Sequence, residues 1–231
     1  MEEFIVHVIE SPKPMEILEG RQEQVTLYSA LEDAGIRVEA YTVVDEDTLL
    51  HAFKMMGECH YEYDEEEEPF PILHISAHGS KDGIELTSRD FIAWKRLGDL
   101  LVPFNEATGD VLVVGMSTCF GFQGLKMARR ISGSPFYALV GPVGDVGWDD
   151  TKVGFVTFYH LVARKGWDLN PALEVMNTAA GVNQGTFQVV GGKQVQLKFR
   201  KKVKEVMRAH LLRKRMRGFA QQFGRRRRGQ D

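Results

Sequence analysis

The fold follows from one stretch, Val111-Leu-Val-Val-Gly-Met-Ser-Thr-Cys119-Phe-Gly121. Its apolar start, residues 111–114, is typical of a strand that is buried on both faces of a sheet. Gly121 permits a sharp turn after Cys119, and the apolar residues beyond it, Leu125, Met127, Ala128 and Ile131, predict a helix. The thiol should therefore lie at the carboxyl edge of a sheet, where open α/β folds bind ligands. It should also lie beside a helix N-terminus, whose partial positive charge favours a thiolate.

A second strand of the same kind ends in a histidine. The run Pro71-Ile-Leu-His-Ile-Ser-Ala-His78-Gly79 is short and apolar and stops at His-Gly. Two parallel strands that end at one edge would bring His78 close to Cys119, and a thiol nucleophile needs such a base. Gly79 would let a substrate backbone approach, and its N–H can face an oxyanion. His74 lies one strand repeat earlier and is predicted to be structural.

The order of elements before the histidine strand is β-α-β-α. Strands are predicted at residues 4–9 and 36–44, and helices at residues 16–34 and 48–59. In the first helix, the apolar stripe consists of Leu18, Val25, Tyr28 and Leu31. Alternating strands and helices predict an α/β fold with a mostly parallel central sheet and helices on both faces.

The two motifs together resemble the caspase-like cysteine peptidases, and within that group they are most similar to the CHAT domains, the branch related to caspases and separase. The similarity extends over roughly residues 70 to 180 through further segments in the family's order. These are Ala138-Leu-Val-Gly-Pro, Trp148-Asp-Asp, Phe155-Val-Thr-Phe-Tyr159-His-Leu-Val-Ala-Arg-Lys-Gly166 and Pro171-Ala-Leu-Glu-Val-Met. The resemblance implies a three-layer caspase-like sandwich and a His78/Cys119 dyad without an obligatory third residue. It also implies a protein or peptide substrate, a regulatory protein partner and a role in bacterial defence or cell death.

Substrate recognition is less well defined by the sequence. Caspase-like enzymes with basic specificity usually keep an acidic residue near the cysteine, but Ser117 stands two positions before Cys119. An acidic pocket could instead come from the loop that follows the next strand, and the candidate binding residues are Ser117, Asp145, Trp148, Asp149 and Asp150. Turn residues and a helix N-cap are the simpler interpretation of the aspartates.

The C-terminal part differs from the rest in pattern and charge. We predict a peptidase domain over residues 1–185 and an extension over 186–231, comprising a β-hairpin about Gly191-Gly192, a basic helix over 201–217 and a disordered end. From Lys198 onward the chain has fourteen basic and two acidic residues, whereas the preceding part has fifteen basic and thirty acidic ones. The basic tail therefore predicts an anionic partner, and it or the acidic loop 64–68 is a candidate site of autoprocessing.

Several classes of protein are disfavoured. With Cys59 and Cys119 as the only cysteines, a disulfide framework is not expected, and a reducing, cytoplasmic location is the simpler interpretation. No apolar run is long enough for a membrane span, the N-terminus lacks the features of a secretory signal, and no metal or cofactor motif is present. Two alternatives stay open: a catalytically silent caspase-like interaction module, and a protein that binds nucleic acid or another anion through its basic tail.

Overall fold

A six-stranded sheet forms the centre of the protein in the computed structural model, which describes residues 4–61, 69–205 and 207. Its strands are β1 Phe4–Glu10, β2 Arg37–Thr42, β3 Phe70–Ser76, β7 Val113–Ser117, β8 Ala138–Pro142 and β9 Phe187–Gly191. The sheet order is β2-β1-β3-β7-β8-β9, and all neighbouring pairs are parallel except β8 and β9. The predicted α/β class with a mostly parallel sheet is confirmed.

Helices cover both faces of this sheet. They are α1 Pro14–Leu18, α2 Glu23–Asp33, α3 Glu46–Tyr61, α4 Trp94–Ala107, α5 Trp148–Tyr159 and α6 Leu169–Ala179. A 3₁₀ helix spans Gly121–Ala128, and α5 continues into a π-helical turn, His160–Arg164. Alternate residues of each strand point to opposite faces. In β7, Val113 packs with α2, α5 and α6 residues on one face, and Val114 packs with α3 and α4 residues on the other. The result is the predicted three-layer arrangement.

A small antiparallel sheet lies between β3 and α4. It consists of β4 His78–Gly79, β5 Gly83–Glu85 and β6 Phe91–Ala93. His78 pairs with Glu85 and Gly79 pairs with Ile84, so the backbone of the His-Gly pair is held in a ladder.

The first predicted helix is two helices with a different buried face. Gly20, at φ +67°, lies in the break between α1 and α2. The predicted stripe is largely wrong, because Leu18 is 78% exposed and Val25 and Tyr28 are also exposed. The buried residues of α2 are Glu23, Leu27 and Leu31. A pattern of apolar residues cannot reveal a buried glutamate. The sequence therefore predicts the wrong face of this helix as the buried one.

The hairpin about Gly191-Gly192 is also wrong. β9 covers the first half of that segment, but it pairs antiparallel with β8, and residues 192–205 are helical. Val195 in this helix packs against the core, and the Gln196 side chain donates a hydrogen bond to the carbonyl of Gly133. The alternating polar pattern of residues 193–199 therefore belongs to a partly buried helix, and residues beyond 185 contribute an edge strand to the main sheet. The acidic loop 64–68 and most of the basic tail, including residues 208–231, lie outside the described residues.

The segment after Cys119 is helical as predicted, but it is a 3₁₀ helix. Met127 and Ala128 are buried there, whereas Ile131 lies beyond its end and is 69% exposed. Within the described ranges, no helix has both the length and the apolar character that a membrane span requires.

Candidate active site

The ends of three neighbouring parallel strands define the site. Ser76 of β3 is paired with Ser117 of β7, and His78 and Cys119 each follow two residues later. Glu10, the last residue of β1, is paired with Ser76 on the other side. Because parallel strands end at the same edge, the chain leaving β1 meets the histidine and cysteine loops there.

Gly79 packs directly on the cysteine loop. A Cβ atom at this position would lie 2.3 Å from the carbonyl oxygen of Cys119 and 2.7 Å from Cβ and Oγ1 of Thr118. No side chain fits in such a space, so the glycine is required for the His-Gly pair to approach the cysteine backbone.

The cysteine lies in a tight turn. Phe120, directly after the half-buried Cys119, has φ +57°, a left-handed conformation that residues other than glycine seldom adopt. Its N–H donates a 2.9 Å hydrogen bond to the carbonyl of Gly144, which ties the turn to the loop after β8. Gly121 is equally constrained, since a Cβ there would lie 2.7 Å from the carbonyl oxygen of Met116. The thiol is thus presented on a turn whose backbone is fixed from two sides.

His78 is hydrogen-bonded to a carboxylate that the sequence did not predict as its partner. Its Nε2 lies 3.1 Å from Oε1 and 3.3 Å from Oε2 of Glu16 on α1. The His78 side chain is 42% exposed and that of Glu16 is 21% exposed, so solvent screens the pair in part. No hydrogen bond joins His78 to Cys119 in the described part of the chain; such contacts are often long in structures without substrate.

Several of the candidate residues line one cavity of about 150 Å³. Of the residues predicted from the sequence, His78, Ser117, Cys119 and Trp148 line it. The other lining residues are Glu16, Arg21, Ala77, Thr118, Val146 and Thr151. Glu16, Arg21 and Thr151 were not singled out from the sequence, because nothing in its local pattern links them to His78 or Cys119.

The three candidate aspartates are not among the residues that line this cavity. Asp145 and Asp149 are exposed. Asp149 forms a 2.8 Å ion pair with Lys152, and the hydrogen bond from Lys152 keeps the pKa of Asp149 below its usual range. The Asp150 carboxylate lies close to the backbone of Gly147, the residue that precedes α5. Lys152 also places its ammonium group 3.9 Å from the ring centroid of Trp148, which fixes the indole beside the cavity.

A buried polar network lies directly behind Ser117. The fully buried carboxylate of Glu23 accepts hydrogen bonds from the hydroxyls of Ser76, at 2.7 Å, and Ser117, at 2.7 and 2.9 Å. Nε2 of His74 lies 3.6 Å from the same carboxylate, and Nδ1 of His74 is hydrogen-bonded to the Tyr159 hydroxyl at 2.8 Å. The prediction that His74 is structural agrees with this placement. Glu23 is an acid close to the position two before the cysteine, but α2 supplies it, so the local sequence could not reveal it.

Glu10 connects β1 to the start of α2. Its carboxylate accepts the backbone N–H groups of Glu23 and Gln24, at 2.7 and 3.1 Å, and so caps the helix. Burial raises the pKa of Glu10 to about 7; the two backbone hydrogen bonds oppose the rise, and the charges of Glu23 and Glu16 add to it. Three carboxylates from one stretch of chain therefore interact at this edge of the sheet.

Among the residues that the structure describes, no three His, Cys, Asp or Glu side chains gather as a metal-binding group. No protein-family model matches the chain, and the curated proteins give no match either.

Proposed function

We propose that the chain is a caspase-like cysteine endopeptidase in which Cys119 is the nucleophile and His78 is the general base and acid. The observation that carries this proposal is the packing of Gly79 on the backbone of Cys119. This contact places the histidine and cysteine loops side by side, and both side chains line one cavity. A base beside a thiol that lines a cavity is the arrangement that covalent catalysis by cysteine requires.

The reaction proceeds by acyl transfer. The Cys119 sulfur attacks the carbonyl carbon of the scissile peptide bond while His78 holds the proton of the thiol. The C–N bond then breaks, the proton passes from His78 to the leaving amine, and the acyl group stays on sulfur as a thioester. Water, deprotonated by His78, attacks the thioester and releases the carboxylic acid and the free thiol.

The negative charge that develops on the carbonyl oxygen needs hydrogen-bond donors. The backbone N–H groups of Gly79 and Cys119 are proposed for this role, each stabilising the oxyanion by about 3 kcal/mol. The close approach of the two backbones supports the choice, because both N–H groups then belong to one rigid unit of the site.

The biological setting is proposed from the resemblance to CHAT domains. A protein or peptide is the substrate, a separate protein partner is the activator, and the activity belongs to a bacterial defence or cell-death system. The sequence contains only two cysteines, which suits a reducing compartment such as the cytoplasm. The reaction uses side chains and water only, so the proposal requires no cofactor.

The chain offers a matched pair of cysteine variants as a test. Wild type, Cys119→Ala and Cys59→Ala are incubated with casein and a peptide library, and cleavage sites are read by mass spectrometry. We expect cleavage by wild type and Cys59→Ala, none by Cys119→Ala, and thermal unfolding of Cys119→Ala within about 2 °C of wild type. Cleavage that persists in Cys119→Ala would rule out the proposal.

Alkylation distinguishes an enzyme from a silent module. If Cys119 is the activated nucleophile, iodoacetamide should modify it at neutral pH faster than Cys59, which is also half-buried. Equal, slow modification of both thiols together with no cleavage would favour a catalytically silent interaction module.

A further inference from the structure

Glu16 is the acidic side chain in contact with the proposed catalytic histidine. Both of its carboxylate oxygens lie within 3.3 Å of Nε2 of His78, and no motif in the sequence assigns it a role. We propose that Glu16 is a positioning residue that fixes the protonation and orientation of His78, an inference that rests on the peptidase function proposed above. The proposal adds an acid to what the resemblance implies is a two-residue dyad.

The carboxylate is held in place independently of the histidine. The backbone N–H of Lys13 donates a 2.6 Å hydrogen bond to Oε2 of Glu16, in a capping arrangement at the start of α1. Pro14 at the first position of the helix restricts the backbone there, and the carbonyl of Glu16 accepts the N–H of Arg21 at 2.8 Å. Because the Glu16 carboxylate is held by the backbone N–H of Lys13, it can orient the imidazole of His78.

The contact determines which nitrogen of His78 does the chemistry. A carboxylate accepts hydrogen bonds, so Nε2 of His78 carries the proton and Nδ1 keeps its lone pair. Nδ1 is then the atom that exchanges a proton with Cys119 or the leaving amine. Once Nδ1 is protonated, the positive charge of the imidazolium lies at hydrogen-bond distance from the Glu16 carboxylate.

The other charged groups around His78 do not replace this contact. Arg21 lines the cavity but is paired with Glu19 at the far end of α1. Glu85, the ladder partner of His78 on β5, is exposed. Glu10 interacts with the charge of Glu16, but its carboxylate is engaged by the N-terminus of α2. Among the described residues, Glu16 is therefore the carboxylate that bonds to the imidazole.

A positioning role makes a specific prediction about pH. An imidazolium at His78 favours a thiolate at Cys119 in neutral solution, whereas at high pH the thiol ionises without help. Loss of the Glu16 charge should therefore slow alkylation of Cys119 near neutrality and leave the rate at high pH unchanged. A merely structural role would alter both rates or neither.

The test compares Glu16→Gln and Glu16→Ala with Glu32→Gln, a charge-matched control at an exposed position near the end of α2, in the full chain. Iodoacetamide alkylation of Cys119 is followed by mass spectrometry at pH 6.5 and pH 9.5. We expect both Glu16 variants to react about tenfold more slowly at pH 6.5 and within about twofold of wild type at pH 9.5, with Glu32→Gln unchanged at both. Unchanged rates at pH 6.5, or an equal fall at both pH values, would overturn the proposal.

Turnover adds a second readout. In Glu16→Gln we expect kcat to fall about tenfold, a part of the roughly 10²- to 10⁴-fold that a positioned proton-transfer group contributes, with KM nearly unchanged. A rise in KM at constant kcat would instead make Glu16 a substrate-binding residue and contradict the positioning role. Alkylation needs no turnover, so the pH effect without any Cys119-dependent cleavage would refute peptidase activity of the chain on its own and leave the role of Glu16 in place.

Discussion

Gly79→Ala tests the contact on which the proposed site depends. The added Cβ would lie 2.3 Å from the carbonyl oxygen of Cys119 and 2.7 Å from two atoms of Thr118. Ordinary contacts of this kind are about 3.5 Å, so the two loops must separate by about 1 Å. The His-Gly pair is held in a ladder with β5 and the cysteine turn is tied to Gly144, so the separation moves His78 relative to Cys119.

The size of the effect follows from that displacement. A misplacement of about 1 Å between reacting groups costs about 100-fold in rate, and overpacking of this kind destabilises a fold by about 1–3 kcal/mol. We therefore expect kcat/KM to fall about 100-fold while the protein still folds. The assay combines peptide cleavage with urea-induced unfolding, so that loss of activity and loss of folded protein are measured separately.

The matched control is Gly57→Ala in α3. No atom lies within 4 Å of a Cβ at Gly57, and alanine is favoured over glycine in a helix by about 0.5–1 kcal/mol. This variant should be slightly more stable than wild type and fully active. If Gly79→Ala cleaved substrate within about threefold of wild type, the histidine loop would not depend on the cysteine backbone, and the reasoning from geometry to function would fail.

Two further substitutions probe the buried groups behind the site. In the folded protein Glu10 holds its proton up to about pH 7, whereas in the unfolded chain it releases the proton near pH 4.5. The contribution of Glu10 to stability therefore falls by about 3 kcal/mol as the pH rises between those values. The difference in unfolding free energy between Glu10→Gln and wild type should therefore shift by about that amount in favour of Gln between pH 4.5 and pH 8, and a constant difference would contradict the raised pKa. In Gly115→Ala, the new Cβ would lie 2.1 Å from the hydroxyl oxygen of Tyr159. We expect the free energy of unfolding, measured in urea, to fall by about 1–3 kcal/mol. The control Gly144→Ala, where no atom lies within 4 Å of the new Cβ, should show no comparable loss.

The sheet was predictable because its strands obey a local rule. Residues 111–114 are apolar throughout and residues 71–75 are apolar apart from His74, which is typical of strands buried on both faces. His78 and Cys119 follow these strands after a few residues. Parallel pairing then brings the two strand ends to one edge without further information. Because Ser76 is paired with Ser117, His78 and Cys119 each lie two residues beyond the paired ends of their strands.

The acidic side chains of the site were not predictable for the opposite reason. Glu16 is 62 residues from His78 in the chain, and Glu23 is 94 residues from Ser117. The local sequence pattern carries no information about such contacts. In α2 it also predicts the wrong buried face, because Glu23 occupies a core position there. The prediction of a hairpin was wrong for a similar reason. Gly191-Gly192 has the sequence of a turn, but in the structure it joins an edge strand to a helix.

The position of these acids has a consequence for the thiol. Glu10, Glu16 and Glu23 all come from the end of β1 and the two helices after it, and their charges interact. A thiolate at Cys119 would add a further negative charge at the same edge of the sheet, and like charges disfavour one another. The site therefore needs a positive partner for the thiolate, and Arg21 at the cavity is already paired with Glu19. His78 in its imidazolium form fills this need, and Glu16 is the one of the three carboxylates that contacts it, so the same acid that adds negative charge to the site also stabilises the cation that balances it.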